Sequence, residues 1–256
     1  IGVLSWLIMG VVMLICTYTF GIVAGNYEGA DGLVAFTRAS CGKTYAYYVG
    51  WFMTVVYYPT LTSVLCWLPA RYLGVLIGGD VWGNPTSAPV MTLSVVFLIV
   101  TYAMNALAPR IAGKFQVSTT VIKMIPLALM AVVGTIVGIG NGRMAENFAT
   151  MASGGAVAGG GGLMGAAVAV AFAYEGWILA TSINAELKDA KKNLPLALVA
   201  GSFIVVATYI LYYIGINGAV TTEELMASGQ AAAKMAFQRI LGDTAGSLVF
   251  VLIVIS

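Results

Sequence analysis

Residues 1 to 25, IGVLSWLIMGVVMLICTYTFGIVAG, contain no Asp, Glu, Lys or Arg. As a helix rising about 1.5 Å per residue, such a run is long enough to cross a hydrocarbon layer of about 30 Å. Similar stretches recur, each bounded by charge, Gly, Pro or Asn, and predict seven spans at 1 to 25, 43 to 77, 89 to 107, 115 to 140, 162 to 184, 194 to 217 and 235 to 256. Lipid leaves a chain of this kind little choice, because only helices and closed barrels satisfy every backbone donor and acceptor there. The expectation is therefore an all-α integral membrane protein, a single transmembrane domain over 1 to 256. Composition excludes a water-soluble fold: 60% of residues are hydrophobic and 9% charged, mean hydropathy is +0.95, and so few charges cannot cover a soluble surface.

Charge placement predicts topology. Arg38, Lys43, Arg110, Lys114, Lys188, Lys191 and Lys192 fall between spans on one side, whereas Arg71, Arg143, Lys234 and Arg239 fall on the other, mixed with acids. Cytoplasmic loops carry the Lys and Arg excess, so loops 26 to 42, 108 to 114 and 185 to 193 are expected to be cytoplasmic and the protein to be multi-pass in the cell membrane. Ile1 then lies outside. An apolar first segment without an initiator Met, and a last run that stops uncapped at SLVFVLIVIS, read as a fragment of a longer chain. Pro59 and Pro69 are expected to kink the second span, and Leu33, Val34 and Phe36 to lay a short helix on the cytoplasmic interface. The Gly-rich stretch 153 to 165 lacks the strand and the Lys-Ser/Thr of a phosphate loop and reads as an outer loop.

Several function classes drop out. A net charge of +2 gives no concentrated basic face for nucleic acid. Cys16, Cys41 and Cys66 have no metal or disulfide spacing and read as packing residues. There is no histidine, which removes the commonest acid–base catalyst and metal ligand. No enzyme activity, cofactor or metal is expected; the partners are the lipid bilayer and a small-molecule substrate.

Two ionisable residues fall inside spans, where a charge costs at least about 2.5 to 3.5 kcal/mol. Lys123 and Glu175 lie roughly 12 and 14 Å from the cytoplasmic ends of their spans by helical rise. Lys123 has an alternative in snorkelling along its four methylenes, Glu175 in a protonated, hydrogen-bonded structural carboxyl, and the two have a third in pairing with each other. Around Glu175 stand Phe172, Ala173, Tyr174, Gly176 and Trp177. Gly in mid-span beside a carboxyl marks a place where the helix can open, and open backbone at that depth is tolerated only in protein or around a water-filled cavity. Aromatic and Gly residues also occur in membrane helices for packing alone.

Residues 172 to 198, FAYEGWILATSINAELKDAKKNLPLAL, resemble the sixth helix and following loop of amino acid permeases, in the amino acid, polyamine and organocation superfamily. Residues 106 to 134, ALAPRIAGKFQVSTTVIKMIPLALMAVVG, resemble the loop and fifth helix, and Gly50 and Trp51 with Pro59 resemble the third. The resemblance implies an inverted-repeat transporter of five plus five helices, covered in part, from about the second to the eighth helix. It implies Phe172 as an aromatic gate, and the Phe172, Ala173 and Glu175 carbonyls as acceptors for a substrate α-amino group. Tyr174 stands within that unwound segment and Gly176 permits the break. Lys123 resembles a fifth-helix lysine of sodium-independent members, where its ammonium replaces a sodium ion. Glu175 departs from relatives that are neutral there. The implied function is amino acid transport by alternating access, through proton coupling or exchange. A polyamine or organic-cation exchanger of the same fold is the alternative, and a seven-helix receptor or a membrane enzyme the reading from another class.

Overall fold

The computed structural model describes residues 2–27, 32–152 and 162–255, and among them every regular element is helical. In chain order these are α1 (Gly2–Asn26), α2 (Leu33–Cys41), α3 (Lys43–Phe52), a π-turn (Met53–Tyr57), α4 (Tyr58–Ile77), α5 (Asp80–Gly83), α6 (Ala88–Leu107) and α7 (Pro109–Leu129). A second π-turn (Met130–Gly134) leads to α8 (Thr135–Gly140), α9 (Arg143–Ala152), α10 (Gly162–Ala173) and a 3₁₀ segment (Trp177–Glu186). The chain ends with α11 (Ala190–Ala219), α12 (Thr222–Ser228), a short 3₁₀ turn, α13 (Ala232–Leu241) and α14 (Asp243–Ile255).

Among the described residues six helical stretches are long and apolar enough to cross a membrane: Gly2–Asn26, Lys43–Ile77, Ala88–Leu107, Pro109–Gly140, Gly162–Asn184 and Ala190–Ala219. The seventh expected span, 235 to 256, is instead two short helices, α13 and α14. Gly242 at φ +84° reverses the chain between them, a conformation that costs an L-residue side chain but not Gly. A Cβ on Gly246 would strike the backbone of Phe237 and Gln238, so the two arms pack nearly backbone to backbone. The expected loop 108 to 114 is corrected as well: Pro109 opens α7 directly after Ala108, its missing N–H being one that a first helical turn leaves unpaired anyway.

Of the two prolines in the second span, Pro59 follows the π-turn and Pro69 rides inside α4. A proline at 59 cannot donate to the carbonyl of Val55, and the wider turn absorbs that lost bond. The Gly-rich stretch is described only from Gly162 onward, where it is already helix; 153–161 lie outside the described residues.

The helices group into two compact units, Ile1–Val56 with Thr150–Leu211, and Tyr57–Ala149 with Tyr212–Ser256. In the first, Ser5, Gly10, Met13, Thr17, Gly21 and Ala24 form the buried stripe of α1, and small residues there let neighbours come close. A Cβ on Gly21 would sit 3.3 Å from Pro195 of α11. Phe36 of α2 is buried with Ala24, Leu194 and Leu198. The short helix forms as expected, but its aromatic is spent on the protein interior and not on the membrane interface. Of the cysteines, Cys66 is buried as expected, Cys16 partly so, and Cys41 is exposed.

In the second unit Met130, Ile216, Ala219, Val220, Ala236 and Phe237 form the core. Gly134 and Gly138 meet Gly215 and Gly218 so closely that a Cβ on any of the four would collide with facing backbone. α9 is tied to the end of α11: Arg143 Nη1 donates to the Ala219 carbonyl at 2.7 Å, and Asn147 Nδ2 to Asn217 at 2.6 Å and Val220 at 2.9 Å. These donors satisfy carbonyls that a helix C-terminus leaves without intrahelical partners.

Candidate functional site

Within the span Gly162–Asn184 the α-helix stops at Ala173, roughly 17 Å along its axis. Tyr174, Glu175 and Gly176 form a turn, Gly176 takes φ +108°, and the chain resumes as a 3₁₀ segment at Trp177. The turn keeps few backbone bonds: the Tyr174 N–H reaches Val170 O at 3.0 Å, the Glu175 N–H reaches Phe172 O at 3.1 Å, and the Leu179 N–H reaches Gly176 O at 3.1 Å. Among the described residues no backbone donor reaches the carbonyls of Ala173 and Tyr174. The break thus leaves acceptors at mid-span, at the end of α10 where the helix dipole is negative.

A cavity of 360 Å³ opens beside this turn. Ala173, Tyr174, Glu175, Gly176 and Trp177 line one side; Met13 of α1 and Ser202, Val205 and Tyr209 of α11 line the others. Its size suits a small molecule. The Tyr174 ring is buried, edge-on to Trp6 at 5.3 Å and stacked on Tyr209 at 5.7 Å, and its hydroxyl donates to the Trp6 carbonyl at 3.3 Å. That ring is committed to packing, so the site takes from Tyr174 a cavity wall and a backbone carbonyl. Trp177 packs edge-on against Phe20 at 5.2 Å, which ties the far side of the turn to α1.

Asn184 closes the C-terminal end of this span. Its Nδ2 donates to Tyr27 O at 2.9 Å and Ala24 O at 3.3 Å, capping the last carbonyls of α1. The broken segment is therefore held at both ends: by the aromatic cluster above and by an amide cap below.

Of the residues singled out in the sequence, Ala173, Tyr174, Glu175 and Gly176 come together at the cavity. Phe172 does not line it and is half exposed, and its carbonyl already accepts from Glu175. Lys123 belongs to the second unit, about 21 Å along the helical stretch that begins at Pro109, with an exposed side chain. Sequence reasoning missed Ser202 and Tyr209. The signal was present in part: both carry hydroxyl groups within a mainly apolar span, and a spacing of seven puts them on one helix face.

The amino acid permease family matches the chain over residues 1–256. Similar curated proteins include the serine/threonine exchanger SteT of Bacillus subtilis (strain 168), 27% identical over 98% of this chain and 54% of its own length. The b(0,+)-type amino acid transporter 1 of Homo sapiens is 26% identical over 92% of the chain and 47% of its own length. The glutamate/serine transporter AimA of Bacillus subtilis (strain 168) is 24% identical over 88% and 42%. The chain thus spans about half the length of the curated relatives it matches. Matched to that family from end to end, and built of helices with the length and hydropathy to cross a bilayer, the chain is a multi-pass membrane protein that belongs to the amino acid permease family.

Proposed function

We propose that the protein is a secondary active transporter that carries amino acids across the cell membrane by alternating access, independently of sodium. It acts as a carrier and not as an enzyme. The observation that carries this reading is the mid-span break at Tyr174–Gly176, which presents unused carbonyls and a helix C-terminus to a small-molecule cavity. A protonated α-amino group is the complement of such a site: it brings donors to the Ala173 and Tyr174 carbonyls and positive charge to the negative end of α10. The relatives are named as amino acid transporters, which supports the substrate class.

In this reading Lys123 provides a fixed positive charge within its span where a sodium-coupled carrier would bind the ion. Coupling then runs through protons or exchange, and the relative named as a serine/threonine exchanger favours exchange. A second reading rests on Glu175, one of the residues that line the cavity. An acid there favours substrates with a second positive charge, such as dibasic amino acids or polyamines.

The test is uptake of radiolabelled amino acids and polyamines by the protein in proteoliposomes, with and without sodium and proton gradients. Saturable amino acid uptake indifferent to sodium is expected. Sodium-dependent uptake would overturn the role given to Lys123, and no saturable uptake of any amino acid or amine would overturn the function.

A further inference from the structure

Ser202, in the α11 wall of the cavity, holds a hydroxyl that its own helix does not use. Serine in a helix interior commonly donates back to the carbonyl four residues earlier. Ser63, Ser94 and Ser118 do so here, to Pro59, Val90 and Lys114 at 2.7, 2.8 and 2.9 Å. Ser202 is 4% exposed, yet among the described residues its hydroxyl has no hydrogen-bond partner. Nor is that hydroxyl sealed: among the described residues the enclosed side-chain atoms without partners are Arg71 Nε, Ser87 Oγ and Asn184 Oδ1. Ser202 Oγ therefore keeps a little open surface, and the space that Ser202 borders is the cavity.

The surroundings give that hydroxyl a use. Ser202 stands roughly 18 Å along α11 from Ala190, deep within the span. Its lining neighbours one turn either way are Leu198 and Val205, with Gly201 beside it. This stretch of wall thus offers a substrate one small hydroxyl in an apolar setting. A hydroxyl both donates and accepts, so a hydroxyl on the substrate complements it and a methyl group does not. A few placed polar groups fix specificity in a pocket of this kind, and a site built to pair with a substrate hydroxyl disfavours the analogue that lacks it.

We infer that Ser202 sets specificity at this site by hydrogen-bonding a hydroxyl on the substrate's side chain. The protein then prefers hydroxyl-bearing amino acids to their deoxy counterparts: serine to alanine, and threonine to α-aminobutyrate. This rests on the transporter reading above and adds to it the chemistry of the side chain carried. The substrate's α-amino group stays with the Ala173 and Tyr174 carbonyls, and its side chain turns toward α11.

Uptake from an equal mixture of labelled serine and alanine into proteoliposomes tests this, because the ratio of the two does not depend on how much protein inserts. Serine is expected to be preferred, and Ser202→Ala to lower the ratio roughly 2- to 12-fold, the net worth of one hydrogen bond. Threonine against α-aminobutyrate should shift by a similar factor. Ser94→Ala deletes the same atom from a serine already spent on its own helix and should leave both ratios in place. Should Ser202→Ala fail to fold, Ser202→Cys puts a weaker hydrogen-bonding group in much the same space and should move both ratios in the same direction. Ratios unchanged in the Ser202 variants, including an equal loss of both substrates, would overturn the inference, since the hydroxyl would then be structural or serve the part that the two amino acids share. Saturable uptake by the unaltered protein with no preference in either pair overturns the inference alone. No saturable uptake of any amino acid overturns the transporter reading and this inference with it.

Discussion

Gly176→Ala tests whether the break in the fifth span is held by backbone conformation. A Cβ at this position would meet nothing within 4 Å, so the substitution is sterically free. What remains is φ, +108°, which an L-residue resists at a cost of about 1 to 2 kcal/mol. Gly165, in α10 of the same span, is the control: it also has nothing within 4 Å, but its backbone is helical, where alanine gains roughly 0.5 to 1 kcal/mol over glycine. The two variants add the same methyl group to the same span, and their stabilities should differ by about 1.5 to 3 kcal/mol. Equilibrium unfolding in a titration of denaturing detergent, followed by indole fluorescence with Trp177 beside the break, measures this difference. Gly176→Ala should also weaken substrate binding in proteoliposome uptake, since a residue driven toward negative φ rebuilds the helix and occupies the Ala173 and Tyr174 carbonyls. If Gly176→Ala proves as stable as Gly165→Ala, the turn is not maintained by the glycine and the account of the site fails.

Further outcomes follow from other positions. Lys123→Met should still insert but lose uptake roughly tenfold or more, the scale of one uncompensated interaction of about 1.4 kcal/mol; undiminished uptake removes Lys123 from coupling. Glu175→Gln should cut uptake of dibasic substrates roughly ten- to hundredfold, by loss of a charge-assisted contact, and spare neutral ones. A uniform change across substrates would make Glu175 structural. Gly215→Ala drives a Cβ into the Met130 carbonyl and should cost about 1 to 3 kcal/mol in unfolding assays. Glu224 accepts the Thr221 N–H at 2.9 Å and an Arg239 N–H at 2.7 Å, and these bonds, the Thr221 one first, hold its carboxyl below the ordinary carboxylate value. A depressed folded value means its contribution is present above the unfolded carboxyl's value and is lost as pH falls through the folded one. Glu224→Gln should therefore flatten the acid limb of the stability–pH curve.

The break at Tyr174–Gly176 was legible because its causes are local: a glycine and a carboxyl in the middle of an apolar run resist helix wherever the run is placed. The π-turn before Pro59 has an equally local cause, a missing N–H. Other features had local causes that the hydropathy pattern concealed. The last stretch is apolar enough for a span, yet Gly242 followed by Asp243 stops one helix and starts another, and Pro109 opens α7 where charge alone read as a loop.

What the sequence determined by itself was hydropathy and backbone permission: which runs enter lipid, and where glycine or proline breaks them. Only the tertiary structure decided which faces meet. Ser202 and Tyr209 stand on one helix face in the sequence, but they line a cavity because α11 packs against α1 and the broken span. Tyr174 sits in the site motif, yet its ring is taken by Trp6 and Tyr209. Phe36 reads as a membrane anchor and is buried against Ala24, Leu194 and Leu198. The reason is physical: lipid and protein interior are both apolar, so hydrophobicity alone cannot tell a side chain that faces one from a side chain that faces the other.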